Sequence, residues 1–379
     1  MRILYVEMAF GFGGSLTGLL QLIDHLPSDI EPVLITGFDA RQYIELPKDL
    51  PYEFAEISMP PDGPVPLPQR LARFHRYFAG PWMKHVSDAI RRCQPDLIHT
   101  GNSSFCNAPA ALAGRRQGVP TIGYQKEFEY GGRFNRFVLR REWYNHHASS
   151  VSVAERLFEL GLPRERCTVM YEPVVPPGNG SAMSRADSES PVVAMYSILQ
   201  PWKGQDVFLR AIAKVCRNYH EPFRVVIAGD SPNGTREYPE SLKSLAAELG
   251  IANRIEFRGH VRDILGMLAE TDIAVHGSIQ PEPFGRVIGE AMSAGVAVIA
   301  TKGGGAAEII EHEQTGLHVP MGNADALAEA VTRLLRNTEL RRSLGQRARE
   351  FALREFEPAL HAKRVVALCR EIASGKQAK

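Results

Sequence analysis

Glu282 and Glu290 stand eight positions apart in Pro281-Glu282-Pro283-Phe284-Gly285-Arg286-Val287-Ile288-Gly289-Glu290, with an aromatic-glycine turn between them. The apolar run 271–276 ahead of them reads as a buried strand, and the two prolines fall in the loop that follows. A helix is therefore expected to begin near Phe284. Its first-turn amides have no partners inside the helix and carry the positive end of the dipole, which makes an anion site. Glu282 sits at that mouth, and Glu290 lies about two turns farther on at ~1.5 Å of rise per residue. One carboxylate can accept hydrogen bonds from hydroxyls at the mouth, the other from hydroxyls farther back. A ligand with phosphate between two polyols satisfies both. Two acids near a helix start also favour the dipole with no ligand at all, so the pair needs supporting residues.

Three further segments of the second half supply candidates. Ser197, Ile198, Lys203 and Gly204 follow a strand and open a helix, which places the Lys203 ammonium near the carboxyl ends of strands, where open α/β sheets bind ligands. There it can neutralise a diphosphate as a point charge; the plain alternative is a solvated lysine. The turns Gly229-Asp230 and Gly259-His260-Val261 put small, backbone-exposing residues at one sheet edge, suited to a nucleobase. Lys302-Gly303-Gly304-Gly305-Ala306-Ala307-Glu308 offers bare amides to an anion, or is simply a glycine-rich turn.

In the first half, Ala9-Phe10-Gly11-Phe12-Gly13-Gly14-Ser15 joins the first strand to its helix. Gly-x-Gly-Gly lacks the third glycine of a dinucleotide fingerprint, while Asp39 stands where a ribose-binding acid is expected, so that reading stays open beside a loop that touches phosphates from across a cleft. His99 ends the run 96–99 and points to the same cleft, although a lone histidine after a strand is commonly structural.

Holding these groups in place requires two parallel α/β sheets, because apolar runs alternate with helical patterns in both halves. Strands are expected at 2–7, 32–36, 96–99, 120–124, 150–153 and 167–171, then at 192–197, 224–228, 255–257, 273–276, 297–300 and 316–319. Helices are expected at 16–25, 83–93, 108–116 and 154–160, then at 205–218, 238–249, 261–269, 286–294 and 324–335. The domains read as 1–173, an acceptor-side Rossmann-like domain, and 191–356, a donor domain, with an exposed Pro/Gly/Ser-rich linker at 174–190. Residues 357–379 form an amphipathic segment that caps the second domain or crosses back to the first.

At 379 residues the chain exceeds what one core usually serves. A formal net charge of +1 gives no argument for nucleic acid. Five scattered cysteines without a Cys-x-x-Cys pair point to reduced thiols in the cytosol rather than to disulfides or zinc. The chain opens directly into a strand with no export segment, and its longest uncharged stretches, such as 291–301, fall short of the ~20 apolar residues needed to span a bilayer. Membrane contact, if made, is peripheral. Residues 67–92 hold six basic side chains against one acid, interleaved with aromatics, and read either as a patch for an anionic membrane or as a solvated helix face beside a core stripe. Residues 126–141, with Arg133, Arg136, Arg140 and Arg141, form a second basic-aromatic stretch that fits the acceptor side of a cleft.

Taken together, these residues resemble the retaining glycosyltransferases of family 4. The resemblance covers nearly the whole chain and is most specific from 192 to 320. It implies an α/β fold of GT-B architecture, two facing Rossmann-like domains with parallel sheets and an inter-domain cleft. It also implies transfer of a sugar from a nucleoside-diphosphate donor to a hydroxyl acceptor with retention, without metal or separate cofactor; no Asp-x-Asp pair is present. By that resemblance, Lys203, Glu282 and His99 carry the chemistry, with Glu282 on the donor sugar and His99 beside it. Gly13, Gly14 and Ser15 lie near the diphosphate, joined by Ser197, Gly229, Asp230, His260 and Val261 on the nucleotide side. Phe284, Gly285, Arg286 and Val287 reach sugar or phosphate, and Glu290 binds ribose. The implied location is cytoplasmic, extending to the inner membrane surface, with no nucleic-acid partner.

One position departs from the family pattern. Five residues before the lysine the family usually carries arginine, and here Ile198 stands, with Arg286 or Arg133 as substitutes by conjecture. The departure keeps alive a non-catalytic nucleotide-sugar binder on the same fold. A nicotinamide oxidoreductase using the 10–15 loop ranks third. Acid-base hydrolysis by the two glutamates ranks lower still, since they follow one another along a single segment instead of flanking a cleft.

Overall fold

A computed structural model describes residues 1–8, 14–56, 80–129, 132–141, 144–176, 190–231 and 234–375, and every structural statement below refers to these. Gly13 and the rest of the 9–13 loop, residues 67–79 of the basic-aromatic stretch, and most of the expected linker lie outside them. The chain divides into two compact units, Met1–Pro173 with Pro358–Lys379, and Val174–Glu357.

The first unit is built on a parallel sheet of β1 (Arg2–Glu7), β2 (Glu31–Thr36), β3 (Tyr52–Phe54), β4 (Leu97–Asn102), β5 (Thr121–Gln125), β6 (Asn145–Ala148) and β7 (Cys167–Val169). Their order is β3-β2-β1-β4-β5-β6-β7. Alternate residues of a strand face opposite sides, so β1 feeds two cores. Ile3 and Tyr5 pack with Leu16 and Leu20 of the helix Gly14–Asp24 and with Ala362, Val366 and Cys369 of the helix Pro358–Ala373. Leu4 and Val6 pack with Val86 and Ile90 of the helix Pro81–Cys93 and with Ala110 and Ala111 of the helix Ser104–Gln117. Both faces being covered is why this strand is a continuous apolar run. The C-terminal helix Pro358–Ala373 belongs to this unit.

The expected strand at 150–153 is a correction: Ser150 caps the helix Val151–Leu160, its hydroxyl accepting from the Val153 amide at 3.2 Å. The strand is Asn145-His146-His147-Ala148 instead, buried yet polar, so no apolar run announces it. The helix Arg133–Arg140 and strand β3, both short, also escape the periodicity.

The second unit carries β8 (Val192–Tyr196), β9 (Arg224–Ala228), β10 (Ile255–Gly259), β11 (Ile273–His276), β12 (Ala297–Thr301) and β13 (Leu317–Val319), in the order β10-β9-β8-β11-β12-β13, all parallel. The helix expected from 261 starts at Ile264, because Asp263 caps it through the Gly266 amide at 2.8 Å. The helix expected at 286–294, with its start near Phe284, runs from Arg286 to Ala294. The long helix Thr338–Glu355 was not expected, since its arginine-rich sequence masks its buried stripe of Leu344, Gly345, Ala348 and Ala352. That stripe of small residues lets it lie against the end of the helix Arg286–Ala294, where buried Arg349 donates to the Ser293 carbonyl. In both sheets the strand order reverses, between β1 and β4 and between β8 and β11. Such reversals open a crevice at the carboxyl ends of the strands.

Candidate functional site

The reversal in the second unit is where the predicted lysine and glutamate meet. Lys203 ends a short turn after β8, and Glu282 lies in the loop after β11. The Lys203 ammonium donates to Glu282 Oε2 at 2.7 Å, with both side chains nearly buried. The same oxygen accepts from the Ser278 hydroxyl at 3.1 Å, and the His276 ring nitrogen Nε2 lies 3.1 Å away. Lys203 also sits over the Trp202 ring, 4.0 Å from its centroid. Burial pushes the Glu282 carboxyl upward, but the hydrogen bond from His276 and the Lys203 charge outweigh it and bring it down to about 2. Glu282 is thus held as an anion whose Oε2 takes three contacts, while no described residue hydrogen-bonds its Oε1. His276 and Ser278 were missed by the sequence reading. The available signal was a histidine ending an otherwise apolar strand, six residues before the glutamate.

Two glycines hold the loops in place. Gly204 has φ 76°, and a Cβ there would lie 2.1 Å from the Gly277 carbonyl oxygen. Gly304 has φ 61°, and a Cβ would lie 2.1 Å from the Glu282 carbonyl oxygen. That carbonyl accepts from the Gly305 amide at 2.7 Å, so the 302–308 segment grips the backbone of Glu282. Phe284 is buried with its ring edge-on to Phe356, which anchors the turn below the helix start. Gly285 is the N-terminal cap, and Arg286 and Glu290 face each other one turn apart at 3.6 Å. The Val287 carbonyl accepts from the Tyr196 hydroxyl at 2.9 Å.

The remaining second-unit candidates gather at neighbouring strand ends. The Ser197 hydroxyl and the Ile198 carbonyl both accept from the buried amide of Gln205, each at 2.9 Å. The Ile198 side chain is 46% exposed. Gly229 donates its amide to the Gly259 carbonyl at 2.7 Å, joining the turns at 229–230 and 259–261. Asp230 and His260 are exposed and Val261 is half-buried.

The first-unit candidates separate. Gly14 opens the helix Gly14–Asp24. The Ser15 hydroxyl donates to Glu7 Oε1 at 3.0 Å and accepts from Lys126 at 3.2 Å. Glu7 is wholly buried; burial raises its pKa, opposed by Lys126, Ser15 and Asn102. His99 is 2% exposed, and its Nε2 lies 2.9 Å from that of His147. The Tyr124 ring stacks on His147 at 4.0 Å. Burial holds His99 down at about 3, so it is a neutral member of a packed histidine-tyrosine cluster. Asp39 caps a short turn and pairs with Arg41 at 2.8 Å. Of the basic-aromatic stretch, Trp82 and Met83 are core, Arg91 pairs with Asp88, Arg92 pairs with Glu53, and Lys84 is exposed. Arg133, Arg136 and Phe137 are exposed on the helix Arg133–Arg140.

The two Rossmann-like parallel sheets define a GT-B α/β fold, and residues 181–351 match the family model described as glycosyl transferases group 1. The matched residues lie within the second unit and span most of it. Among curated relatives, the chain is 32% identical over 209 residues to the D-inositol 3-phosphate glycosyltransferase of Corynebacterium efficiens, covering 53% of this chain and 49% of that one. It is 33% identical over 179 residues to the GDP-mannose-dependent alpha-(1-6)-phosphatidylinositol monomannoside mannosyltransferase of Mycobacterium tuberculosis, covering 44% of each. The match thus spans about half the length of these relatives. Among solved structures, Anabaena Alr3699/HepE in complex with UDP and glucose superposes with a TM-score of 0.78 at 22% identity, covering 97% of this chain and 99% of that one. No described helix is long and apolar enough to cross a membrane.

Proposed function

We propose that the chain transfers a sugar from a nucleoside-diphosphate donor to a hydroxyl acceptor, retaining the anomeric configuration and without a metal ion. The observation that carries this reading is the Lys203–Glu282 pair at the β8/β11 reversal, with Glu282 Oε2 saturated and Oε1 open. An ionised carboxylate with one oxygen available suits sugar hydroxyls, which donate to it. Beside it, Lys203 and the start of the helix Arg286–Ala294 present positive charge and amides to a diphosphate. Glu290, farther along that helix, takes the ribose. Negative charge builds on the departing diphosphate, so preorganised positive groups lower the barrier there, and the leaving phosphate oxygen takes the acceptor proton. No protein nucleophile is needed. The donors in the names of similar proteins, UDP with glucose and GDP-mannose, are the first to try. We read the location as cytoplasmic, in keeping with five free cysteines.

A second reading, a nucleotide-sugar binder without turnover, is favoured by one observation: Ile198 is an exposed apolar side chain where a second diphosphate cation is usual. Thermal shift with UDP-, GDP- and ADP-sugars, followed by donor hydrolysis and transfer assays, separates the two. Stabilisation by a nucleotide sugar and turnover lost in Glu282→Gln support transfer. Stabilisation without turnover over a broad acceptor panel supports the binder, and no stabilisation by any nucleotide sugar overturns both.

A further inference from the structure

We propose that His276, with Ser278, is a positioning residue that keeps Glu282 oriented when Lys203 leaves it for the ligand's phosphate. The inference rests on the donor reading above. In the structure Lys203 and Glu282 neutralise each other at 2.7 Å, yet a diphosphate beside them draws on the same ammonium. Lys203 reaches through a flexible four-carbon stem and turns readily to a new anion. A buried carboxylate that loses its only cation swings away or takes up a proton. Here it retains two short, backbone-fixed donors.

The geometry is a triangle. His276 Nε2, Ser278 Oγ and Glu282 Oε2 lie 3.1 Å apart along every edge. An ionised carboxylate only accepts, and the single Ser278 proton goes to Glu282. The proton in both histidine contacts must therefore be on Nε2. His276 Nδ1 is buried without a partner, which suits a bare lone pair and disfavours a second N–H. The geometry thus puts a proton on Nε2, directed at both partners. Both anchors are themselves held: His276 lies on β11 opposite Ala300, and the Ser278 carbonyl accepts from the Thr301 hydroxyl at 2.8 Å. Glu282 Oε1 then points to the sugar whether or not Lys203 is paired.

The test has two arms on the full chain. Nitrogen-15 spectra of histidine-labelled protein, with His276 assigned by its loss in His276→Gln, are expected to show Nε2–H with bare Nδ1, shifted by Glu282→Gln. An Nδ1–H tautomer, or no response to Glu282→Gln, overturns the triangle. The second arm compares UDP-glucose with UDP, or GDP-mannose with GDP, whichever pair stabilises the wild-type chain. His276→Leu is expected to weaken nucleotide-sugar binding about tenfold, the scale of one charge-assisted hydrogen bond, and to leave nucleoside-diphosphate binding within about twofold. His276→Gln, which returns an N–H near the same place, is expected to restore most of that loss. Equal weakening of both ligands, or no restoration by Gln, means that His276 is merely structural. Failure of the wild-type chain to bind any nucleotide sugar overturns the donor reading instead, and the spectrum still decides the triangle.

Discussion

Lys203 and Glu282, 79 positions apart in the chain, share a hydrogen bond of 2.7 Å at the carboxyl ends of β8 and β11. The pair joins the two loops that flank the strand reversal, so the site is assembled by sheet order and not by sequence neighbourhood. Its charge balance makes it a stability element.

Lys203→Met is expected to destabilise the second unit by about 3 kcal/mol, the low end for an orphaned buried charge, because His276 and Ser278 still donate to Glu282. The Glu282 carboxyl sits at about 2 against an ordinary 4.5. Its folded value is the lower one, so its stabilisation is present above about pH 4.5 and is lost as pH falls toward 2. Urea titrations of wild type and Glu282→Gln are expected to differ most at neutral pH and to converge as pH falls from about 4.5 toward 2. A constant gap across that range is the contrary result.

The first unit is expected to weaken with acid in a higher window. Burial holds His99 and His146 at about 3 and His361 at about 4, and it holds His147 well below the usual 6.5. These rings stay neutral in the fold and take up protons when it opens. Stability is therefore complete above about pH 6.5 and falls as pH drops toward 4, by up to ~1.4 kcal/mol per pH unit for each ring. Glu7 and Glu127, both raised by burial, act in the opposite sense, against these four rings and His85, which burial also lowers. Unfolding midpoints at pH 7.5, 6.5 and 5.5 measure the slope, and His147→Phe, with a ring able to stack on Tyr124, is expected to flatten it.

Gly204→Ala and Gly304→Ala are each expected to cost more than ~2 kcal/mol, because a side chain there combines a left-handed backbone with a clash against a fixed carbonyl. Gly250, also left-handed but with open space around its Cβ direction, is the comparison: Gly250→Ala is expected to cost about 1 kcal/mol. Equal losses at all three positions indicate backbone strain alone and remove the steric argument.

Ile198→Arg is expected to leave the fold intact, since the side chain at this position is exposed and only its backbone carbonyl is used internally. An added cation at this strand end is expected to tighten nucleoside-diphosphate binding about tenfold, and high salt to remove most of the gain. Calorimetric titration at two ionic strengths reads this directly, and unchanged affinity at low salt places residue 198 away from the phosphates.

Much of the second unit was legible because its signals are local. The strand 273–276 and the helices 205–218 and 286–294 follow from apolar periodicity, and prolines and glycines punctuate the loops that hold Lys203 and Glu282. Gly285, left-handed at φ 90°, caps the last of these helices, whose bounds are the expected 286–294. The polar strand Asn145–Ala148 and the arginine-rich helix Thr338–Glu355 escaped because their burial is justified only by partners distant in the chain.

By itself, then, the sequence determined the alternating α/β plan, the position of the paired glutamates around a helix start, and the lysine after the first strand of the second half. Tertiary structure alone decided how those charges are used. Hydrogen bonds of about 3 Å select partners by three-dimensional proximity, which strand order sets. That is why Glu282 finds Lys203, His276 and Ser278 on one oxygen, and why His99 turns inward to His147, 48 positions away.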